Sequence, residues 1–223
     1  MLVDAFGTLV ALEPPAPRLR SELRRTLGLE VSTEAAEAAF RAEIAFYLAH
    51  HLEGADERSL GALRDRCAGV IAGALGLELH ALPGVREAML ASLRFSAHPD
   101  AAPALRVLRA RGLRLVVASN WDCSLPRVLE EAGLAPLVDD VVSSANVGAA
   151  KPDPAVFEAA LAAAATSPAE ALHVGDSLVN DVEGARAAGV RGLLLDRCGG
   201  APRPGVETIG SLGELASLVL AGP

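Results

Sequence analysis

The hydrophobic and polar positions follow different patterns in two parts of the chain. In the C-terminal two thirds, short runs of Val and Leu alternate with stretches in which apolar residues recur every three or four positions. Such an alternation predicts buried parallel strands joined by helices that cover the sheet. The predicted strands are Leu2–Val3, Leu113–Ala118, Val138–Val142, Leu172–Val174 and Gly192–Leu195, and the predicted helices are Ala102–Arg111, Leu125–Ala132, Pro154–Ala165, Asn180–Ala188 and Ser211–Leu220.

Residues 14–92 carry helical periodicity without any strand pattern. Leu19, Leu23 and Leu27 form one apolar stripe, and further stripes follow along the segment. This pattern predicts an all-helical domain inserted after the first strand. The expected organisation is an α/β core of residues 1–13 and 93–223 with a cap of residues 14–92, and hinges are expected near residues 14–17 and 95–99.

Composition and charge limit the classes of ligand that the chain is expected to bind. Half of the chain (51%) is hydrophobic, but with five Phe, one Trp and one Tyr the core must be built mainly from Leu, Val and Ala. A net charge of -8 argues against binding to nucleic acids, so a phosphate would need a local site and a small-molecule substrate is expected. The three cysteines lack the spacing of a disulfide framework or a zinc site, which favours a reduced, cytoplasmic protein. No apolar run approaches the roughly 18 residues of a membrane span, and the pattern leaves the oligomeric state open.

Polar residues follow three of the predicted strands. Asp4 follows the first strand, Ser119 the second and Asp176 the fourth, with Asp181 five residues later. Since ligands of an open parallel sheet bind beyond the carboxyl ends of its strands, these side chains can converge there. Lys151, the single lysine of the chain, lies in a loop between two of the strands. Taken one by one, these residues could also be helix caps or solvated loop charges.

Four short segments, in order along the chain, carry a resemblance to a known family. They are Asp4–Leu9 (Asp-Ala-Phe-Gly-Thr-Leu), Ser119-Asn120, Lys151-Pro152, and Gly175-Asp176-Ser177 with Asn180-Asp181. Together they resemble the four motifs of the haloacid dehalogenase superfamily, in the subclass with a helical cap after the first motif. The resemblance implies a Rossmann-like parallel-sheet core with an all-helical cap, and a hydrolase that acts through an aspartate nucleophile.

The resemblance also implies a role for each residue of the site. Asp4 would be the nucleophile, assisted by Ser119 and Lys151 as catalytic residues. Mg2+ would be held by Asp4, Asp176 and the backbone carbonyl of Phe6, with Asp181 behind them. The expected substrate-binding groups are the backbone of Gly7 and Thr8, the Asn120 amide and, on a cap helix, Arg41, for which ordinary packing is the alternative.

The chain departs from the phosphatases of this family at Phe6. They carry a second aspartate there, which protonates the leaving group, and losing such an acid costs roughly 10² to 10⁴ in rate. Phosphatase-like hydrolysis is favoured, and a weakly active or non-catalytic phospho-ligand binder is the first alternative. A 2-haloacid dehalogenase, whose halide needs no proton, is the second, but Asp176 and Leu178 replace the Ser and Asn of those enzymes. Asp122 is a candidate replacement acid, with helix capping as the other interpretation.

Overall fold

The structure is a computed structural model that describes residues 1–201 and 203–221. Contacts divide the chain into two compact units. The core unit contains Met1–Ala11 and Ser96–Pro223, and the helical unit contains Leu12–Phe95.

The core unit is built on a parallel sheet. The strands of the described residues are β1 (Leu2–Val3), β2 (Val10–Leu12), β3 (Phe95–Ala97), β4 (Val116–Ser119), β5 (Asp140–Ser143), β6 (Leu172–Gly175), β7 (Arg191–Leu195) and β8 (Thr208–Ile209). Six of them form one sheet in the order β5-β4-β1-β6-β7-β8, and every neighbouring pair is parallel. The strands β2 and β3 form a separate two-stranded ribbon. The prediction of an α/β fold with a parallel core sheet is confirmed.

The position of β1 explains its composition. It lies in the middle of the sheet, where Leu2 pairs with Val116 on one side and His173 on the other. Because both faces of a central parallel strand are covered by helices, such a strand is apolar throughout. Leu2 and Val116 pack against Phe157, which is fully buried.

Four helices make up the helical unit. They are α1 (Pro15–Leu27), α2 (Thr33–His50), α3 (Glu57–Ala74) and α4 (Leu82–Ser92). Helix α1 buries Leu19 and Leu23 on one face and ends at Gly28, whose φ of 68° suits the left-handed cap position of glycine. Helix α3 begins with a capping box between Asp56 and Ser59. No helix in the described part of the chain is both long and apolar enough to span a membrane.

The helices of the core unit follow its strands. They are α5 (Ala101–Ala110), α6 (Leu125–Glu131), α7 (Ser144–Val147), α8 (Pro154–Ala164), α9 (Gly184–Ala187) and α10 (Leu212–Ala221). The predicted helix Asn180–Ala188 is instead a π-helical turn over Leu178–Glu183 that continues into α9. Strand β4 begins three residues later than predicted, because the Leu115 N–H donates to the Asp139 side chain and not to a neighbouring strand. The strands β2, β3 and β8 were not predicted, and β3 occupies part of an expected hinge.

Phe157 on α8 is fully buried, whereas Phe6 is half-exposed. Truncating each of them to alanine should therefore lower the free energy of unfolding by different amounts. Phe157→Ala should lower the free energy of unfolding by about 3–5 kcal/mol, because it leaves a cavity in the core. The matched change Phe6→Ala should cost less than about 1 kcal/mol, since the Phe6 side chain is half-exposed. Urea denaturation of both variants measures the difference, and equal losses would contradict the assignment of Phe157 to the core.

Candidate functional site

The topology of the sheet brings the polar residues together. Because β4, β1 and β6 are parallel neighbours, their carboxyl ends meet at one edge. Asp4 directly follows β1, Ser119 ends β4 and Asp176 directly follows β6. Asp4, Asp176 and Asp181 each place a carboxylate oxygen within 4.8 Å of the other two. This carboxylate cluster is the candidate site.

Lys151 binds two members of the carboxylate cluster. Its Nζ donates to Asp4 Oδ1 and to Asp181 Oδ1, each at 2.6 Å. The Lys151 side chain is buried, with 2% of its surface exposed. Burial alone would lower the pKa of Lys151, but the carboxylates of Asp4 and Asp181 outweigh burial and raise the pKa above its ordinary value. The ammonium therefore remains charged at neutral pH.

The Asn120 side chain positions the loop that carries Lys151. The Lys151 N–H donates to Asn120 Oδ1 at 2.7 Å, and Asn120 Nδ2 donates to the Lys151 carbonyl at 2.9 Å. From the sequence, the Asn120 amide was expected to contact the substrate. Since this paired bond uses its oxygen and one N–H, only its second N–H is left for such a contact.

Asp181 is held from three sides. Its Oδ1 accepts from Lys151 and lies 2.9 Å from His173 Nε2, and its Oδ2 accepts from the Ser177 N–H at 2.9 Å. Burial alone would raise the pKa of Asp181, but Lys151 and His173 hold it below its usual range. A Cβ on Gly175 would lie 2.1 Å from Asp181 Cγ, so the carboxylate needs a glycine beside it.

His173 was missed by the sequence analysis. It is fully buried on β6, and burial lowers the pKa of its imidazole, so the ring is neutral. A histidine within an otherwise apolar predicted strand was the available signal. Its contact with Asp181 makes it part of the support for the carboxylate cluster.

Asp4 keeps one carboxylate oxygen open. Ser119 Oγ donates to Asp4 Oδ1 at 2.9 Å, the same oxygen that Lys151 contacts. Within the described part of the chain, no group donates to Asp4 Oδ2. Burial raises the pKa of Asp4, the Lys151 ammonium opposes that shift and Asp181 adds to it. The open oxygen is available to a substrate or a cation.

Asp176 is the accessible member of the carboxylate cluster. No other residue in the described ranges donates a hydrogen bond to its carboxylate. Burial, followed by the charges of Asp4 and Asp181, raises the pKa of Asp176 to about 6. A Cβ on Gly7 would lie 2.1 Å from Asp176 Oδ2, and the Gly7 φ of 78° also favours glycine.

The charges of the carboxylate cluster suit a divalent cation. Three carboxylates face one ammonium, so two negative charges remain uncompensated when all are ionised. Mg2+ binds through one or two carboxylates and keeps several waters. Asp4 and Asp176 offer open oxygens for this, whereas the oxygens of Asp181 already accept bonds. The Phe6 carbonyl remains a predicted third ligand.

The turn after Asp4 uses its amides differently from the expectation. The Gly7 N–H donates to the Val10 carbonyl at 2.9 Å, and the Thr8 N–H donates to the Ala5 carbonyl at 3.3 Å. Both amides expected to bind the substrate therefore have acceptors within the turn. In the described part of the chain, the N–H groups that have no acceptor in this turn are those of Ala5 and Phe6.

Phe6 stands where a catalytic acid is expected, and Asp122 is the candidate to replace that acid. The Phe6 side chain is 49% exposed and lies edge-on to the Trp121 ring at 6.2 Å. Asp122 is buried, and its Oδ1 accepts from the Ser124 N–H at 2.7 Å, but Ser124 and not Asp122 is the N-cap residue of α6. This bond places Asp122 in the turn that precedes α6.

Arg41 belongs to α2 of the helical unit. Its side chain is exposed, and its nearest acidic partner is Glu37 at 3.9 Å, one helical turn away. It is not part of the carboxylate cluster. Its role toward a substrate therefore remains a prediction.

Similar proteins are found for most of the chain. The family model described as haloacid dehalogenase-like hydrolase matches residues 1–189. Phosphatase MT3486 of Mycobacterium tuberculosis is 43% identical over 128 residues, which are 56% of this chain and 58% of the relative. The phosphoserine phosphatase of Thermus thermophilus is 44% identical over 105 residues, which are 47% of this chain and 42% of the relative. The chain thus spans about half the length of these curated relatives.

A solved structure supports the fold over the whole chain. The 2-haloacid dehalogenase from Pseudomonas syringae superposes with a TM-score of 0.71 at 23% identity, and covers 100% of this chain and 98% of its own. At this level of identity the likeness concerns the fold alone.

The raised pKa of Asp176 predicts how stability depends on pH in EDTA. The folded-state pKa of about 6 exceeds the unfolded value of 3.8, so the folded state binds this proton more tightly. Lowering the pH from 7.5 through 6 should therefore stabilise the protein. Asp176→Asn should raise the melting temperature at pH 7.5 and flatten this dependence. Melting curves of both proteins between pH 5 and 8 measure the effect; parallel curves would contradict it.

Proposed function

Because the chain belongs to the haloacid dehalogenase-like hydrolases, we propose that it is a Mg2+-dependent phosphatase-like hydrolase with Asp4 as the nucleophile. The observation that carries the proposal is the Asp4 carboxylate, which has one oxygen bound to Ser119 and Lys151 and the other open. The phosphatases of Mycobacterium tuberculosis and Thermus thermophilus among the relatives support a phosphoryl substrate. The expected substrate is a small phosphorylated metabolite.

The proposed reaction has two steps. Asp4 attacks the phosphorus, an aspartyl phosphate (a mixed anhydride) forms, and the bond to the leaving oxygen breaks so that its electron pair departs with that oxygen. Water then attacks the phosphorus of this intermediate, and the bond between phosphorus and the Asp4 oxygen breaks with its electron pair returning to the carboxylate. The proton of the water leaves with the released phosphate. Lys151 offsets the negative charge of Asp4 and of the incoming phosphoryl group. Ser119, the last residue of β4, donates from its Oγ to the Asp4 carboxylate and so fixes its orientation.

The carboxylate cluster would hold Mg2+ through Asp4 and Asp176, with the Phe6 carbonyl as a third ligand. When bound, Mg2+ would supply positive charge to the phosphoryl oxygens. Asp181 would stay behind these ligands, because Lys151, His173 and the Ser177 N–H already occupy its oxygens. In this proposal Asp181 positions Lys151.

We propose that residues 14–92 act as a cap domain on a core of residues 1–13 and 93–223. In this proposal the cap selects the substrate, and Arg41 on α2 is a candidate to bind it.

Phe6 restricts the leaving groups that the site can release. An apolar ring neither protonates a leaving oxygen nor activates water, and Asp122 is buried and bonded to the Ser124 N–H. In this proposal the leaving group departs as a stable anion, as in aryl or acyl phosphates. The exposed edge of Phe6 beside Trp121 offers such a planar group an apolar contact.

Two other functions remain as alternatives. A weakly active or non-catalytic phospho-ligand binder would keep the cation and anion contacts without an acid. A 2-haloacid dehalogenase is favoured by the aromatic residue at position 6, since halide needs no proton. The two uncompensated charges of the carboxylate cluster oppose a carboxylate substrate unless a cation is bound.

Mg2+ should stabilise the folded protein through Asp176. At about 100 times its Kd, a ligand stabilises by about 2.7 kcal/mol, which corresponds to about 5–10 °C in melting temperature for a chain of this size. Asp176→Asn should lose this shift. Asp140→Asn, an exposed change on β5, should keep it. An equal Mg2+ shift in all three proteins would place the cation elsewhere.

Phe6→Asp tests the missing acid, with Phe6→Asn as its matched control. Both changes remove the ring, but only Asp can transfer a proton. Phe6→Asp should raise Mg2+-dependent turnover of alkyl phosphates by roughly 10-fold or more over Phe6→Asn, a fraction of the 10² to 10⁴ that an acid contributes. Wild type should favour aryl or acyl phosphates over alkyl phosphates, as initial rates across leaving groups of graded pKa would show.

The other outcomes of this experiment separate the alternatives. If neither variant hydrolyses any phosphate while both bind Mg2+ normally, the chain is a phospho-ligand binder. Halide release from 2-haloacids by the wild type in EDTA, lost in both variants, would identify a dehalogenase.

A further inference from the structure

A guanidinium group lies against the turn that follows Asp4. Arg197 is two residues beyond the end of β7, and its Nη1 and Nη2 donate to the two carboxylate oxygens of Asp100 at 2.9 and 3.0 Å. Its Nη2 also donates to the Thr8 carbonyl at 2.8 Å, and its Nε approaches the Gly7 carbonyl at 3.4 Å. Asp100 in turn accepts from the Leu212 N–H at 2.9 Å. The guanidinium thus joins the turn to α5 and α10.

The contacted carbonyls belong to the peptide groups that shape the turn. Because a peptide group is planar, fixing the Gly7 carbonyl also fixes the Thr8 N–H, and fixing the Thr8 carbonyl fixes the Leu9 N–H. Those N–H groups both donate to the Ala5 carbonyl, one residue after the nucleophile. The buried Thr8 Oγ1 has no hydrogen-bond partner in the described part of the chain, so Thr8 is held through its backbone.

We infer that Arg197, held by Asp100, is a positioning residue that fixes the turn after Asp4, and with it the nucleophile and the open N–H groups of Ala5 and Phe6. The role suits arginine, since one planar fork can bind a carboxylate bidentately and still reach neighbouring carbonyls. A lysine ammonium cannot meet both sets of acceptors in this arrangement. The catalytic part of this inference rests on the proposed function.

The chain provides a matched control. Arg191, at the start of β7, also binds a carboxylate bidentately, through Nε and Nη2 to Glu207. It lies at the opposite end of the same strand and makes no contact with the turn among the described residues. Arg197→Met and Arg191→Met therefore each remove one arginine–carboxylate pair, but only the first removes the contacts to the turn.

Hydrogen–deuterium exchange measures the positioning without any substrate. Arg197→Met should speed exchange in the peptide covering residues 4–10 by at least 10-fold at 25 °C, while Arg191→Met leaves that peptide unchanged. Arg197→Lys should fall between Arg197→Met and wild type. If Arg197→Met fails to fold, Arg197→Lys and Asp100→Asn carry the same comparison. Unchanged exchange in residues 4–10 would overturn the inference.

The kcat and KM of the same variants test whether the position of the turn affects catalysis. With an aryl phosphate and Mg2+, Arg197→Met should lower kcat by roughly 30-fold or more, because small misplacements of a reacting group cost up to 10²-fold. KM should change by a smaller factor, and Arg191→Met should leave both constants near the wild-type values. Added guanidinium ion should restore part of kcat to Arg197→Ala in a saturable manner, and should have no such effect on Arg191→Ala.

The outcomes separate this inference from the proposed function. If exchange rises but kcat stays near wild type, Arg197 does not position the reacting groups and the inference is overturned. If the wild type hydrolyses no phosphate, exchange in residues 4–10 alone decides the positioning of the turn, and the proposed function fails independently.

Discussion

The structure of the site depends on one buried ammonium. Lys151 touches an oxygen of Asp4 and an oxygen of Asp181, so it holds together two carboxylates that would otherwise repel each other in a buried place. Removing one partner of such a buried pair is far more destabilising than losing an exposed ion pair. A compact ammonium satisfies two acceptors from one atom, which explains a lysine in a chain whose other cationic side chains are arginines. The Asn120 bond to the Lys151 backbone belongs to the same arrangement.

The sequence identifies the residues that lie on regular elements better than the contacts between them. Asp4, Ser119 and Asp176 could be predicted because each follows an apolar strand, and parallel strands end at a common edge. The acceptors of individual N–H groups could not be predicted from the sequence. Whether the Gly7 and Thr8 amides face a substrate or the carbonyls of their own loop depends on the conformation of one turn. His173 and Arg197 were missed for a related reason. The partner of His173 lies 8 residues away, and those of Arg197 lie 97 to 190 residues away, so only the folded backbone brings them together.

Phosphoryl transfer usually combines electrostatic stabilisation with proton transfer, and these two requirements are met unequally in this site. Its electrostatic part is present, in the form of an ammonium, a serine hydroxyl and carboxylates arranged for a cation. Under the proposed function, the position expected to transfer the proton carries Phe6, whose ring lies beside Trp121. Electrostatic stabilisation is usually the larger contribution to catalysis. Under the proposed function, such a site would be selective through the basicity of the leaving group rather than through shape alone.

The two glycines beside the carboxylate cluster limit the order in which this sequence can change. Gly175 has no room for a methyl group while Asp181 is present, and Gly7 has none while Asp176 stands next to it. A substitution at position 175 therefore becomes tolerable only after Asp181 has been replaced, and one at position 7 still meets the positive φ of that residue after Asp176 has been replaced. A lineage that drifts away from this chemistry would lose the carboxylates first and the glycines afterwards, and a lineage that acquires it would need the glycines beforehand.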